Sequence, residues 1–192
     1  MATVRAVIQD VHLVFETTPA VFSATAIDQG TTLLLSLVRF CRGDKVLDLG
    51  CGYGVMGIYA AKLLDPRNIY MIDNDPEALR LAAKNVALND ASGVHVDFSD
   101  GFRDLRESAF TKILCNPPYH SDFSVAKHFI EKGFNRLTIG GEMWMVTKRE
   151  KWYRNKLANV FGGARVVARD SYFVFQSIKK SNTYAGSART PQ

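Results

Sequence analysis

Residues 116–119, with the sequence Asn116-Pro117-Pro118-Tyr119, place an amide, two prolines and an aromatic ring side by side. Proline fixes φ and has no N–H, so the carbonyls of Asn116 and Pro117 face outward without a local donor. The Asn116 side-chain oxygen and a nearby carbonyl can together accept both protons of an NH₂ group, and the Tyr119 ring can stack on a planar base or amide. The pattern predicts a catalytic site at which such a nitrogen acts as the nucleophile.

The position of this tetrapeptide favours a site over the alternative, an ordinary Asn-Pro turn. It follows the apolar run Ile113-Leu114-Cys115 and lies 62 residues beyond Gly54. Ligands of open α/β sheets bind at the carboxyl ends of strands. His120 comes next, and we expect it to contact substrate or water rather than to act as a base, because the nitrogen becomes acidic only as it is alkylated.

A second candidate site is the glycine loop of residues 48–57, which carries Gly50, Gly52, Gly54 and Gly57. Glycine has no Cβ and tolerates positive φ, so a ligand can approach such a loop closely. The spacing Gly52-x-Gly54-x-x-Gly57 also fits a dinucleotide site, and that pattern alone is weak evidence. A nicotinamide cofactor and S-adenosylmethionine therefore remain alternatives for the loop.

Asp48 favours S-adenosylmethionine. A dinucleotide places its pyrophosphate at the helix N-terminus, where Asp48 would repel it. S-adenosylmethionine carries an ammonium and a sulfonium and no phosphate, so a carboxylate beside the loop is attractive. Asp73, 19 residues beyond Gly54, can accept hydrogen bonds from ribose hydroxyls, which both cofactors have.

The surrounding elements alternate between strands and helices, which predicts a parallel sheet. An N-terminal hairpin is expected at residues 4–8 and 12–15, and an amphipathic helix, with Asp28 near its start, at residues 27–40. Further strands are expected at 45–49, 69–72, 94–98, 112–115 and 142–147, helices at 55–64, 76–88, 123–137 and 152–161, and an antiparallel pair at 165–168 and 172–178. We expect one catalytic domain at residues 26–180, with residues 1–25 as its hairpin extension and residues 181–192 as a disordered polar tail.

The net charge of +5 is unevenly distributed. Residues 1–100 hold 8 Lys/Arg against 12 Asp/Glu, whereas residues 101–192 hold 16 against 7. Residues 148–156 alone contain five basic and two aromatic side chains. Basic groups can follow phosphates while aromatic rings stack on bases, so we expect Lys148, Arg149, Lys151 and Trp152 to contact RNA. The alternative is a solvated helix with Trp152 or Tyr153 in the core.

Cys41, Cys51 and Cys115 show no CxxC spacing and no nearby His cluster, so we expect reduced thiols and no metal. No run of about 18 apolar residues and no signal-peptide pattern occurs, which predicts a cytoplasmic protein.

The segment Asp48-x-Gly50-x-Gly52-x-Gly54 resembles the first motif of class I S-adenosylmethionine-dependent methyltransferases. The resemblance implies a Rossmann-like α/β fold with a mostly parallel seven-stranded sheet, an antiparallel last strand and here an N-terminal β-hairpin. It implies that Asp73 binds ribose and that Asp100, with Gly101 and Phe102, holds adenine. The full set of expected cofactor-binding residues is Phe22, Thr31, Asp48, Gly50, Cys51, Gly52, Gly54, Asp73, Asn74, Asp100, Gly101, Phe102 and Asn116.

The upstream segments Pro19-Ala20-Val21-Phe22-Ser23 and Asp28-x-Gly30-Thr31 resemble those of small-domain ribosomal RNA guanine-N2 methyltransferases, and the likeness covers roughly residues 3–180. Ala20 stands where that family often has glycine, and its better-known members carry a further N-terminal domain. The resemblance implies methyl transfer to guanine N2, with ribosomal RNA or a ribosomal subunit as partner. Adenine N6 and protein glutamine N5 methyltransferases share the Asn116–Tyr119 signature and remain alternatives; a non-enzymatic RNA-binding module would not need both loops.

Overall fold

The computed structural model describes residues 2–21, 23–118 and 123–189. For residues 188 and 189 it describes the backbone only. Phe22, Tyr119 and His120, which the sequence assigns to the site, lie outside the described residues. The described strands are β1 (Ala2–Ile8), β2 (Val11–Thr17), β3 (Val46–Leu49), β4 (Ile69–Asp73), β5 (His95–Phe98), β6 (Phe110–Cys115), β7 (Leu137–Thr147), β8 (Arg165–Arg169) and β9 (Tyr172–Ile178). The described α-helices are α1 (Gln29–Leu37), α2 (Val55–Ala61), α3 (Pro76–Leu88), α4 (Phe123–Arg136) and α5 (Glu150–Phe161).

Every strand and helix expected from the sequence is present, and α1 is the helix whose bounds differ most. We expected residues 27–40, but α1 begins at Gln29 and ends at Leu37. The Asp28 side chain accepts a hydrogen bond from the Thr31 N–H and so caps the helix one residue before its start. Val38 is extended, which ends the helix before the apolar pattern stops.

Seven strands form one sheet in the order β5-β4-β3-β6-β7-β9-β8. Neighbours from β5 to β7 pair in parallel, and β9 is antiparallel to both β7 and β8. The expected mostly parallel sheet is therefore confirmed. Because β4 and β6 flank β3 on opposite sides, the loops that follow these three strands meet at one edge, at the point where the strand order reverses.

The sheet separates two apolar cores, as expected for strands covered on both faces. Val46 of β3 packs into the core that contains buried residues of α1, α2, α3 and the hairpin. Its neighbour Leu47 points to the other face, where the core contains residues of α4 and α5. The alternation of strand side chains explains why the buried strands read as continuously apolar.

The hairpin of β1 and β2 is attached to α3 by two buried asparagines. Asn85 accepts from the Glu16 N–H at 2.7 Å and donates to the Glu16 carbonyl at 3.1 Å. Asn89, one turn later, makes the same pair of bonds with Val14, at 3.0 and 2.7 Å. Each amide carries the donor and acceptor of a peptide group, so the two side chains pair with the edge of β2 as a third strand would.

The segment after β9 differs from the disordered tail that we expected, in the part that the structure describes. The Tyr184 ring lies 5.0 Å from the Phe134 ring, and its hydroxyl donates to the Glu131 carbonyl at 3.1 Å. A short 3-10 helix follows at Ala185–Arg189. Tyr184 thus packs this segment against α4, and the 3-10 helix also contacts α5. No helix in the described part of the chain has the length and apolarity needed to cross a bilayer.

Candidate active site

A cavity of about 420 Å³ opens at the carboxyl ends of β3, β4 and β6. Its size lies in the range usual for small-molecule sites. The glycine loop, the end of β4 and the start of the loop after β6 all contribute to its lining. The structure therefore brings the two motifs of the sequence to one site. The predicted residues in the lining are Thr31, Gly50, Cys51, Gly52, Asp73, Asn74, Asp100, Gly101, Asn116, Pro117 and Pro118.

The glycines of the loop have two different tasks. Gly50 and Gly52 have φ of 72° and 55° and expose bare backbone to the cavity. Gly54, also at positive φ, is the residue before α2 and is not in the lining. A Cβ on Gly54 would lie 2.9 Å from Met71 Cε, and one on Gly57 would lie 2.4 Å from Met71 Sδ. The second pair of glycines therefore allows α2 to pack closely on β4.

Asp48 lies beneath the loop rather than in the cavity wall. Its carboxyl is fully buried, and Oδ2 accepts from the Gly57 N–H at 2.7 Å. Among the described residues, Oδ1 has no hydrogen-bond partner. Burial raises the pKa of Asp48 to about 7, against the opposing effect of the Gly57 hydrogen bond. The structure thus gives Asp48 a contact with α2, not the direct approach to a cation that its position in the sequence suggested.

Asp73 forms the wall between the glycine loop and the end of β4. Its Oδ2 accepts from the Gly52 N–H at 2.8 Å, and its Oδ1 accepts from the Asp75 N–H at 3.0 Å. A carboxylate has about four acceptor positions, so these two bonds leave capacity for hydroxyl donors in the cavity. The geometry is compatible with the expected ribose contact.

The part of the cavity that we expect to hold adenine differs in one residue from the prediction. Asp100 and Gly101 line the cavity, and Asp100 also forms an ion pair with Arg103 at 3.0 Å. Phe102 is buried and is not in the lining. Phe129 of α4 is there instead, 6.5 Å from the Phe102 ring and edge-on to it. The apolar period of α4 marks a buried face but does not tell which ring reaches the cavity.

Asn116 is held at the mouth of the cavity by groups from α1. Its Nδ2 donates to Asp28 Oδ2 and to Thr31 Oγ1, both at 3.0 Å. Because the Asp28 carboxylate can only accept, the nitrogen of the amide must face it. Sequence reasoning assigned Thr31 to the cofactor and Asp28 only to the start of a helix. Their contact with Asn116 joins residues 85 and 88 positions apart, a distance that no local pattern indicates.

The segment between β2 and α1 also lines the cavity, and most of it was missed. We expected only Phe22 and Thr31 from this part of the chain to approach the cofactor. Ala20, Val21, Ser23, Ile27 and Asp28 are in the lining.

The basic segment after β7 lies at the same edge of the sheet. Since β6 and β7 are parallel with Cys115 opposite Met145, residues 148–151 follow β7 on the side where Asn116 follows β6. Lys148 Nζ lies 4.8 Å from the centre of the Tyr172 ring, and Arg149 lies 5.2 Å from that of Phe123. Lys151 is exposed.

The two aromatic residues of the basic segment are placed differently. Trp152 is half-buried and stacks on Phe123 at 4.4 Å. Tyr153 is in the core. The structure thus leaves Trp152, not Tyr153, near the surface. Across the described residues, no group of three or more His, Cys, Asp or Glu side chains is arranged to hold a metal ion.

The comparisons with known proteins agree that the relatives of this chain are methyltransferases. The family described as "Methyltransferase small domain" matches residues 12–176. Ribosomal RNA large subunit methyltransferase G of Aeromonas salmonicida (strain A449) is 35% identical over 169 residues, which are 83% of this chain and 45% of the relative. Ribosomal RNA small subunit methyltransferase C of Haemophilus influenzae (strain PittGG) is 36% identical over 172 residues, which are 88% and 52%.

A solved structure shows the same arrangement of elements. The T. thermophilus 16S rRNA N2 G1207 methyltransferase, in complex with AdoMet and guanosine, superposes with a TM-score of 0.84 at 26% identity, over 93% of this chain and 50% of that chain. The expected class I methyltransferase fold is thereby confirmed. The chain spans about half the length of these three relatives. With the family match extending over most of the described fold, the chain belongs to the methyltransferase small-domain family.

Proposed function

We propose that this chain is an S-adenosylmethionine-dependent methyltransferase that acts on an exocyclic nitrogen of RNA, most specifically guanine N2 of ribosomal RNA. The observation that carries the proposal is the fixed amide of Asn116, whose nitrogen donates to Asp28 and Thr31 at the mouth of a cavity walled by bare glycine backbone. The names of the relatives, which act on ribosomal RNA, support the choice of substrate.

The residues of the cavity suit S-adenosylmethionine. Gly50 and Gly52 present backbone without side chains, Asp73 offers carboxylate oxygens to ribose hydroxyls, and Phe129 with Gly101 offers a flat apolar wall for a purine. The bound cofactor would supply an electrophilic methyl group on a sulfonium, and the neutral thioether, S-adenosylhomocysteine, would be the leaving group. We place Asp48 behind this site, where it holds the start of α2 through Gly57.

The chain's own contribution to the reaction is positioning. The Asn116 amide oxygen, on the side of the amide opposite Asp28, accepts one proton of the substrate NH₂, and a backbone carbonyl of residues 116–117 accepts the other. Two such bonds pull the nitrogen lone pair out of conjugation and direct it toward the methyl group. Holding reactants in near-attack geometry can contribute roughly 7–11 kcal/mol to the barrier reduction. The amine proton becomes acidic as the nitrogen is alkylated and would pass to water, so no strong base is needed. We propose that Tyr119 stacks on the base and that His120 contacts substrate or water.

The RNA would lie along the edge that contains Asn116 and the basic segment. Lys148, Arg149 and Lys151 follow β7 at this edge, next to the reacting end of the cavity. Positive side chains there would hold phosphates on either side of the target base, and Trp152 would extend the surface. A ribosomal RNA or a ribosomal subunit as substrate would place the reaction in the cytoplasm.

The test is methyl transfer to undermodified ribosomal RNA and to ribosomal subunits, with labelled S-adenosylmethionine. We expect label in N2-methylguanine after nuclease digestion, and none with Asn116→Ala. Label in N6-methyladenine or in protein glutamine would overturn the choice of acceptor. Calorimetry with each cofactor is the second arm, since tight NAD binding without S-adenosylmethionine binding would overturn the enzyme class.

A further inference from the structure

Asp28 is the centre of a hydrogen-bond network that extends beyond its contact with Asn116. One oxygen, Oδ2, accepts from the Thr31 N–H at 2.9 Å and from Asn116 Nδ2 at 3.0 Å. The other, Oδ1, accepts from the Tyr172 hydroxyl at 2.9 Å. A single carboxylate at the start of α1 therefore connects the loop after β6 to the first residue of β9.

The chemical character of this carboxylate determines which way the Asn116 amide faces. An ionised carboxylate has no proton to donate, so it attracts the amide nitrogen and repels the amide oxygen. If the amide were turned by half a rotation, its oxygen would face the Asp28 carboxylate. Its NH₂ would then face the substrate NH₂, donor against donor. The contact with Asp28 thus selects the orientation in which Asn116 accepts on the substrate side.

Tyr172 fixes Asp28 from the opposite side, and the local sequence makes room for it. A Cβ on Gly30 would lie 2.6 Å from two carbons of the Tyr172 ring, so only glycine allows the ring to lie there. Burial, with a further effect of Asp28, raises the pKa of Tyr172 to about 12, which keeps its hydroxyl protonated as a donor. These contacts explain the spacing Asp28-x-Gly30-Thr31. Asp28 supplies the carboxylate, Gly30 leaves space for the Tyr172 ring, and Thr31 supplies a second acceptor for Asn116.

We infer that Asp28, anchored by Tyr172, is a positioning residue that fixes the Asn116 amide for acceptance of the substrate amine. The inference rests on the proposed function, in which Asn116 binds that amine. It assigns Asp28 no contact with the reacting atoms. Both of its oxygens are engaged by protein donors, so its replacement should affect the methyl-transfer rate more than cofactor affinity.

The main experiment compares Asp28→Ser with Asp28→Asn. Serine caps a helix about as well as aspartate, but its hydroxyl is too short to reach both Asn116 and Tyr172. Asparagine keeps an acceptor oxygen at the length of the carboxylate, and the Thr31 N–H, which can only donate, holds that oxygen on the side of Asn116. We expect kcat to fall about tenfold or more in Asp28→Ser, the size of effect typical for removal of a hydrogen bond to a charged group, and to remain within about threefold of the parent in Asp28→Asn. Cofactor affinity should stay within about twofold in both.

Tyr172→Phe tests the anchor, with Tyr184→Phe as its matched control. Both changes remove one hydroxyl and keep the ring, but Tyr184 donates to a carbonyl of α4, remote from Asp28. We expect kcat to fall about threefold in Tyr172→Phe and not in Tyr184→Phe. Equal rates in all four variants and the parent would overturn the inference if Asn116→Ala is inactive in the same assay. An active Asn116→Ala would instead overturn the proposed function.

A second measurement does not depend on turnover. The side-chain NH₂ of Asn116 can be followed by nitrogen-15 NMR and assigned by its disappearance in Asn116→Asp. We expect both of its protons to exchange slowly with solvent in the parent and in Asp28→Asn. In Asp28→Ser we expect the proton that faces residue 28 to exchange rapidly, while Thr31 Oγ1 still accepts the other. Rapid exchange in the parent, like that of an exposed asparagine, would show that Asp28 does not hold the amide.

Discussion

Asn116 combines the two properties that the proposed reaction needs at one residue: it lies at the cavity mouth, and its amide is oriented by protein partners. We expect Asn116→Ala to lower turnover by at least about a hundredfold, because positioning supplies most of the rate. S-adenosylmethionine affinity should change by less than about twofold. Calorimetry and single-turnover methylation measure the two quantities separately. A parallel decrease in cofactor binding would show that Asn116 belongs to the cofactor site alone.

For Asp73 we expect the opposite of Asn116: its replacement should lower cofactor affinity. Its carboxylate accepts from the Gly52 N–H and lines the cavity, so Asp73→Ala removes both the proposed ribose acceptor and a support of the glycine loop. We expect cofactor affinity to fall about tenfold or more, as is usual when a hydrogen bond to a charged acceptor is removed. Asp97→Ala, at an exposed residue of β5, is the control. Unchanged binding by calorimetry in Asp73→Ala would exclude the ribose role.

Asp48 makes stability depend on pH. Burial raises its pKa from 3.8 to about 7, so the folded state binds the proton more tightly than the unfolded state does. The stabilisation is complete below about pH 4 and disappears as the pH rises through about 7. At about 1.4 kcal/mol per unit, the full decrease is of the order of 4 kcal/mol. Urea unfolding of the cofactor-free protein at pH 5 and pH 8 should show most of this decrease in the parent and not in Asp48→Asn. The same decrease in both proteins would assign the pH dependence to other groups.

At the scale of elements, the hairpin serves the site through its attachment to α3. β2 leads directly into the residues around Val21 that line the cavity, so a loosely attached hairpin would leave that wall undefined. Asn85 is fully buried and bonds the backbone of Glu16 and the Tyr53 carbonyl. Asn85 therefore holds the hairpin and the glycine loop together.

Replacement of Asn85 tests this attachment. Asn85→Ala leaves buried backbone groups without partners, and each costs about 1–3 kcal/mol. We expect the free energy of unfolding to fall by about 2–4 kcal/mol. Asn155→Ala, at an exposed position of α5, should change it by less than about 0.5 kcal/mol. Denaturant unfolding measures both. A difference below about 1 kcal/mol between the two variants would mean that β2 is held mainly by apolar packing.

The order and type of the elements could be predicted from the sequence because they depend on local periodicity. The run Ile113-Leu114-Cys115 and the pair Asp75-Pro76 carry a strand and a helix start within a few residues, and both predictions are confirmed. Features that depend on distant partners could not be predicted. The end of α1 before Phe40 and the packing of Tyr184 on Phe134 belong to this group.

The same distinction applies to the candidate site. The glycine loop and residues 116–118 could be placed together because both follow strands of one parallel sheet. The role of each side chain could be assigned only from the three-dimensional structure. Asp48 contacts Gly57 beneath the loop, Phe129 rather than Phe102 reaches the cavity, and Asp28 holds Asn116 across 88 residues. Asp28 and Asn116 are too far apart in the chain for a spacing rule to connect them, and the choice between Phe102 and Phe129 depends on how α4 packs on the sheet.

In the whole molecule, the fold places part of the excess positive charge at the edge of the sheet where the cavity opens. The basic half of the chain supplies α4, α5 and the last strands, and its segment at Lys148–Lys151 lies at the edge where the cavity opens. Arg42 is also exposed, but it precedes β3 and so lies at the opposite end of the strands. A polyanion attracted only by net charge would not distinguish these two ends.

The salt dependence of RNA binding distinguishes a specific RNA-binding face from attraction by the total net charge. Removing a side chain that pairs with one RNA phosphate reduces the slope of log affinity against log salt concentration by about 1. We expect Lys151→Ala to reduce the slope by about that amount and to weaken binding at low salt, because it removes a cation at the active-site edge. Arg42→Ala removes the same charge at the other end and should leave the slope unchanged. Filter binding of ribosomal RNA fragments over a salt series measures both. Equal slopes in the two variants, each reduced from the parent, would show that RNA responds to the total charge and that the edge around Asn116 is not its binding face.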